Sequence, residues 1–278
     1  MFALRCYEVG PDGVATMATV ANLLQETAAN HAQALWGPGA WVPALMAQQS
    51  LAFALSKLHV RLQRPLVWGA GGVRVRTWFA ASGAVAARRD WELVDAATGA
   101  LLGAASSTWV VFSLETRRLA RMPPPLRSYF DTSSQPAWAL GAGFAPERCA
   151  ELSPDAPCLV GGTQRVRRAD VDMNGHTNNA AYISMLLDDV PPAVAGGGYM
   201  ASLDVEYRSE AVAGEELRSR SALHGSDGGC LLPDGGYDGA GALTFQHALV
   251  RLGDGAELLR ARTVWVAGGE GRITREAV

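Results

Sequence analysis

Between Arg167 and Asn179 the chain carries Asp170, Asp172, Asn174 and His176 at alternate positions. Alternation predicts an extended segment with Asp172, Asn174 and His176 on one face. Ala180 to Leu187 then reads as an apolar helix, with Asn178 or Asn179 as its N-cap and Pro191 as its stop. A carboxylate, an amide and an imidazole thus gather beside a helix N-terminus, whose free N–H groups suit an anion or a developing oxyanion. That combination fits acyl chemistry. His176 is the expected acid–base group, and Asn174 the side chain that orients the imidazole or the acyl group. Asn174-Gly175 is at the same time a turn signal. Asp172 fits three roles: nucleophile, electrostatic partner, or a loop-fixing acceptor of backbone N–H groups.

The same residues imitate half of a calcium loop, since Asp170-x-Asp172-x-Asn174-Gly175 has the right spacing. The twelfth position is Ala181, where a bidentate Glu is needed, so no calcium site is expected. Cys6, Cys149, Cys158 and Cys230 lie far apart with no C-x-x-C pair. They read as reduced thiols without a zinc site.

The elements that must position these residues come in two similar runs. In the first, residues 2–9 suggest a short strand, Gly10-Pro11-Asp12-Gly13 a turn, and Thr16 to Leu35 a mostly buried helix broken at Trp36-Gly37-Pro38-Gly39. Strands follow at Leu51–Leu62, Val73–Phe79, Ala87–Val94 and Leu101–Phe112, the last two joined as a hairpin across residues 95–99. Pro123-Pro124-Pro125 ends this half. In the second, a strand from Cys158 to Val166 leads through the Asp/Asn/His segment into the apolar helix. Further strands are expected at Leu203–Arg208, Glu216–Leu223, Thr244–Leu252 and Glu257–Val266, with Gly225–Gly241 as a surface insertion. One buried helix followed by long antiparallel strands, twice over, predicts an α+β fold. It is a tandem (double) hotdog, two helix-wrapped antiparallel sheets joined edge to edge into one. The expected division is residues 1–130, a linker at 131–157 and residues 158–278.

With 278 residues, 49% of them hydrophobic and 18% charged, the chain can bury a sizeable core. A net charge of −3 argues against general affinity for nucleic acid or anionic membrane. No apolar run approaches the roughly 18 residues of a spanning helix, so stable membrane insertion is not expected. The N-terminus has neither a signal peptide's apolar core nor a transit peptide's Ser/Arg richness.

Ordered blocks along nearly the whole chain resemble the plant-type acyl-ACP thioesterases, the FatA/FatB group. They include Tyr7-Glu8-Val9-Gly10-Pro11-Asp12, Asn22–Ala28, Arg88-Arg89-Asp90-Trp91, Ser107–Val110 and Thr116-Arg117-Arg118-Leu119. In the second half they include the Asp/Asn/His segment, Glu206-Tyr207-Arg208, Gln246-His247, Asp254–Glu257 and Arg262–Trp265. The resemblance implies a tandem hotdog that hydrolyses long-chain fatty acyl-ACP to free fatty acid and ends fatty acid synthesis. Chain selection would lie mainly in the first half and catalysis in the second. It implies the plastid stroma, with the transit peptide absent from this chain, and a monomer or homodimer. Carried over by motif, the functional residues are Asp172, Asn174, His176 and, after the Glu-Tyr-Arg block, Glu210. Many members have a Cys directly after that Glu. Here Ala211 takes its place, so a thiol nucleophile at that position is excluded and carboxylate chemistry is favoured.

Thioester hydrolysis requires no cofactor and no metal. Either Glu210 and His176 activate water, or a carboxylate, Asp172 first among them, forms a mixed anhydride that water cleaves. For Glu210 to serve as a base, partial burial is the expected way of tuning it. Acyl carrier protein is acidic, and three arginine clusters are candidate docking points: Arg88-Arg89, Arg117-Arg118-Arg121 and Arg165-Arg167-Arg168. Arg165, Arg167 and Arg168 are favoured for nearness to the site. The competing readings are an acyl-CoA thioesterase, a hotdog hydratase and a non-catalytic acyl-binding module. His31, His59, His224 and His247 are expected to be structural.

Overall fold

Strands that alternate apolar and polar residues need a partner on each edge and a cover on one face. The computed structural model, which describes residues 1–133, 138–142, 144–145, 147–153, 158–227 and 242–267, supplies both. Its strands are β1 (Leu51–Leu62), β2 (Val73–Ser82), β3 (Ala86–Asp95), β4 (Leu101–Ser113), β5 (Leu159–Arg165), β6 (Gly198–Tyr207), β7 (Glu216–Asp227), β8 (Ala242–Arg251) and β9 (Glu257–Ala267). They form one nine-stranded sheet in the order β2-β3-β4-β1-β6-β9-β8-β7-β5. Every pairing is antiparallel. Outward from the centre, β1-β4-β3-β2 on one side is repeated by β6-β9-β8-β7 on the other. This is the tandem hotdog expected from the sequence.

The helices are α1 (Met17–Trp36), α2 (Ala44–Gln48), α3 (Pro124–Ser133), α4 (Asn179–Leu187) and α5 (Pro192–Gly197). Thr16 caps α1 by accepting from the Thr19 N–H at 3.1 Å. Gly37, at φ +103°, ends it. Its buried face, with Val20, Leu23, Leu24 and Ala28, lies on the sheet, and Trp91 Nε1 donates to the Leu24 carbonyl at 3.1 Å. Asn178 caps α4 through its Oδ1, 2.8 Å from the Ala180 N–H. α1 and α4 pack against each other, and one continuous core joins them to the inner face of both half-sheets.

The halves meet where β1 pairs with β6, Lys57 opposite Glu206 through Arg61 opposite Ser202. Period-2 alternation sorts this seam. Leu58, Val60, Leu203 and Val205 face the core. On the other face Lys57 pairs with Glu206 at 2.9 Å, His59 with Asp204 at 2.8 Å and Arg61 with Asp204 at 2.7 Å. His59 therefore has charged company that only the fold brings to it. Burial pushes the Asp204 carboxyl up, but the hydrogen bond from His59 and the Arg61 charge outweigh it and hold Asp204 below the usual carboxylate range.

The expected N-terminal strand needs correction. The strand at residues 2–9 shrinks to isolated bridges, Phe2 with Val73 and Val9 with Ala15. In between, the Glu8 N–H turns back to the Arg5 carbonyl at 2.9 Å. Residue 130, the expected end of the first half, lies within α3. Pro123-Pro124-Pro125 opens that helix rather than ending the half, because proline suits a first helical turn and Leu126 and Phe130 have core to fill. Among its described residues the expected linker, 131–157, touches the fold. Cys149 and Leu152 are buried, the Cys149 N–H bonds Glu206 at 3.3 Å, and the Phe144 ring meets His59 edge-on. β7 runs on to Asp227, and residues 228–241 of the expected insertion lie outside the described residues.

Candidate active site

The Asp/Asn/His segment is a tight loop, not an extended strand. Val171 bridges Thr177, the Asp172 N–H meets the His176 carbonyl at 2.9 Å, and the Gly175 N–H meets the Asp172 carbonyl at 3.0 Å. Gly175 stands at φ +81°, a left-handed conformation that glycine adopts without steric cost. Asn-Gly turn chemistry has overridden the alternation. The Asp172 carboxylate clamps the loop: Oδ1 accepts from the Asn174 N–H at 2.8 Å, and Oδ2 from the Asn174 side-chain amide at 3.3 Å. Among the three roles open to Asp172, loop fixation is the one its contacts show. Asn174 is turned toward Asp172.

Glu210 comes from the segment after β6. Its neighbour Ala211 is buried and stitched to the loop and to α4. The Ala211 carbonyl accepts from the Thr177 N–H at 2.9 Å and the Thr177 hydroxyl at 2.8 Å, while its N–H donates to the Tyr182 hydroxyl at 2.6 Å. Burial pushes the Tyr182 phenol up, keeping it neutral. The Glu210 carbonyl accepts from Arg251 at 3.3 Å. With its backbone so held, Glu210 Oε2 lies 3.3 Å from His176 Nε2. The structure thus joins His176 with Glu210 and Asp172 with Asn174. The loop connects the two pairs just ahead of the α4 N-terminus.

The expected tuning by burial is not what Glu210 has. Its side chain is 47% exposed and that of His176 40%. Its carboxylate instead meets a guanidinium: Arg117 Nη2 donates to Glu210 Oε1. Arg117 belongs to the first half, where its sequence neighbours Arg118 and Arg121 make it a candidate docking residue for the carrier. Tyr182 was missed, hidden in an apolar helix pattern. The signal available for Arg117 was its place in the Thr116–Leu119 block.

Of the basic clusters, Arg88 and Arg89 are buried. Arg89 lies 3.3 Å from the Phe79 ring centroid and donates to Thr77, and burial lowers its pKa to about 9. Neither can dock a partner. Arg165, Arg167 and Arg168 are exposed beside the loop, although Arg167 grips Asp170 at 2.7 and 3.0 Å. That bidentate pair holds Asp170 below the ordinary carboxylate range and occupies the residue that would lead a calcium loop. Among the described residues no group of His, Cys, Asp and Glu is arranged to hold a metal ion. His247 is fully buried between Ser221 and Thr263, at 2.7 and 2.8 Å.

Residues 1–130 match the acyl-ACP thioesterase N-terminal domain, and residues 162–267 match the acyl-ACP thioesterase C-terminal domain. The chain belongs to the acyl-ACP thioesterase family. It is 35% identical over 270 residues to the chloroplastic palmitoyl-acyl carrier protein thioesterase of Arabidopsis thaliana, covering 95% of this chain and 62% of that protein. To the chloroplastic oleoyl-acyl carrier protein thioesterase 1 of the same plant it is 31% identical, over 95% of this chain and 74% of the relative. The 12:0-ACP thioesterase from Umbellularia californica superposes with a TM-score of 0.81 at 28% identity, over 96% of both chains. The thioesterase fold of these relatives and the sheet order found here agree on a hotdog architecture.

Proposed function

We propose that this chain hydrolyses long-chain fatty acyl-ACP to free fatty acid and carrier, in a plastid, as the names of its relatives indicate for them. The observation that supports it most is the His176–Glu210 pair at 3.3 Å, its histidine carried by the loop that leads into α4 of a family fold. Glu210 orients the imidazole, and His176 takes a proton from water as the oxygen adds to the thioester carbonyl carbon. The proposed oxyanion donors are the α4 N-terminal N–H groups beyond Ala180, whose own N–H the Asn178 cap takes, and the second N–H of the Asn174 amide, the first being given to Asp172. Collapse of the tetrahedral intermediate breaks the C–S bond, and His176 returns the proton to the departing sulfur, which leaves as the thiol. Asp172, with both oxygens engaged by Asn174, shapes the loop in this scheme rather than attacking. Single turnover in ¹⁸O-labelled water checks that point: label in the Asp172 carboxylate would favour the mixed anhydride instead.

In the proposed division of labour the first half selects the acyl chain and the second carries the chemistry. Arg165, Arg167 and Arg168 form the proposed docking point for the acidic carrier, since complementary charge mainly speeds and orients encounter. The decisive assay measures free fatty acid release from a mixed acyl-ACP pool, from acyl-CoA and from a small acyl thioester. Wild type is expected to favour carrier-bound long chains, and His176→Ala and Glu210→Ala to lose activity on all substrates. Charge reversal at Arg165 and Arg168 should raise KM for acyl-ACP alone. Equal use of acyl-CoA, or activity untouched by both site variants, overturns the reading.

A further inference from the structure

We propose that Arg117, contributed by the first half, is a positioning residue for Glu210 across the seam between the halves. The inference rests on the thioesterase reading above. Arg117 sits in the turn after β4, its N–H bonded to the Ser113 carbonyl at 3.0 Å. Its φ is +55°, in the left-handed region that a side chain with a Cβ disfavours. Glycine would fill that turn without strain, and such strain persists where surrounding contacts over-determine it, often at working sites.

The contacts on the guanidinium show what holds it. It lies 5.1 Å from the Phe112 ring centroid, which orients its plane, and Nη2 donates to Glu210 Oε1. Glu210 is therefore engaged at both oxygens, Oε1 by Arg117 and Oε2 by His176. The last torsion of a glutamate is broad and soft, so a half-exposed carboxylate held at one oxygen would sample orientations that lose His176. Arg117 is itself 53% exposed, and an exposed ion pair adds little to stability. Its effect belongs in the rate. The geometry also makes the reaction centre depend on both halves: loop and glutamate from the second, the brace from the first.

The test compares Arg117→Gln and Arg117→Lys with wild type, alone and in a Glu210→Gln background, on acyl-ACP and on a small acyl thioester. Arg117→Gln should lower kcat by about tenfold to a hundredfold on both substrates, the scale of a misplaced reacting group, while KM stays within about twofold. Arg117→Lys should recover part of the loss, and melting temperatures should stay level. In the Glu210→Gln background the Arg117→Gln change should add nothing, because the group it positions is already gone. An unchanged kcat, or a loss that persists undiminished beside Glu210→Gln, overturns the positioning role. So does a KM rise confined to acyl-ACP, which would make Arg117 a docking residue. Wild type that releases no fatty acid overturns the thioesterase reading itself, a result separate from all of these.

Discussion

The two halves enter their central helices through the same loop. In the first, Val9 bridges Ala15, the Gly10 N–H meets the Val14 carbonyl at 2.8 Å and the Gly13 N–H meets the Gly10 carbonyl at 2.9 Å. In the second, Val171, Thr177, Asp172, His176 and Gly175 repeat those bonds in the same order. Both loops then lean on the segment after a central strand: the Ala15 N–H reaches the Leu66 carbonyl at 2.8 Å, and the Thr177 N–H reaches Ala211 at 2.9 Å. Gly10, Asp12, Val14 and Pro65 thus occupy the stations held in the other half by Asp172, Asn174, His176 and Glu210. The loop belongs to the fold. In the proposed reading the chemistry belongs to the side chains placed on it, and the first half has no imidazole or carboxylate where His176 and Glu210 would stand.

The sharpest way to break that contrast is to cut the same station in each half. His176→Ala should reduce fatty acid release by about a hundredfold to ten-thousandfold, the usual worth of a positioned acid–base group. Val14→Ala should leave the rate within about twofold once folded protein is matched. Comparable losses from the two would mean that the halves are not divided in this way.

At the seam the halves depend on each other. Asp204→Ala leaves His59 and Arg61 buried or half-buried without their acceptor, and should cost about 3–5 kcal/mol in denaturant unfolding. The folded pKa of Asp204 lies below the ordinary carboxylate value, so its contribution is present above that value and lost as pH falls toward the folded one. His247 acts in the same direction: burial lowers it from 6.5 to about 3, so its share is full above 6.5 and fades as pH falls toward 3. Wild-type stability should therefore decline on acidification, and Asp204→Ala should flatten the most acidic part of that decline. Stability that rises below neutral pH contradicts both assignments.

How much of this was legible follows from how local each signal is. Alternating strands and the cap at Asn178 are short-range patterns, and the elements appeared close to where they were expected. The Asp/Asn/His residues were recognisable, but their geometry was misread, because alternation and an Asn-Gly turn compete in the same few residues. His59 with Asp204, and Arg117 with Glu210, are contacts between distant stretches created by the β1–β6 pairing. Nothing around His59 announces its pairing, and the Thr116–Leu119 block singles out Arg117 without naming Glu210 as its partner. Arg88 and Arg89 looked like surface charge for the same reason, since their aromatic cover is assembled only in the fold.

A smaller effect sharpens the comparison further. Gly13 and Gly175 both hold positive φ, +73° and +81°. Alanine at either should cost about 1–3 kcal/mol of backbone strain. Only Gly175→Ala should also slow turnover, because its loop carries His176. A turnover defect in Gly13→Ala of equal size would tie the first loop to the chemistry.

The most direct measurement is single-turnover release of fatty acid from long-chain acyl-ACP by Glu210→Gln beside wild type, at matched melting temperature. The expected result is a chemical step slowed by at least about a hundredfold while substrate binding is retained. Release at the wild-type rate would contradict the assignment of His176 and Glu210 as the reacting pair.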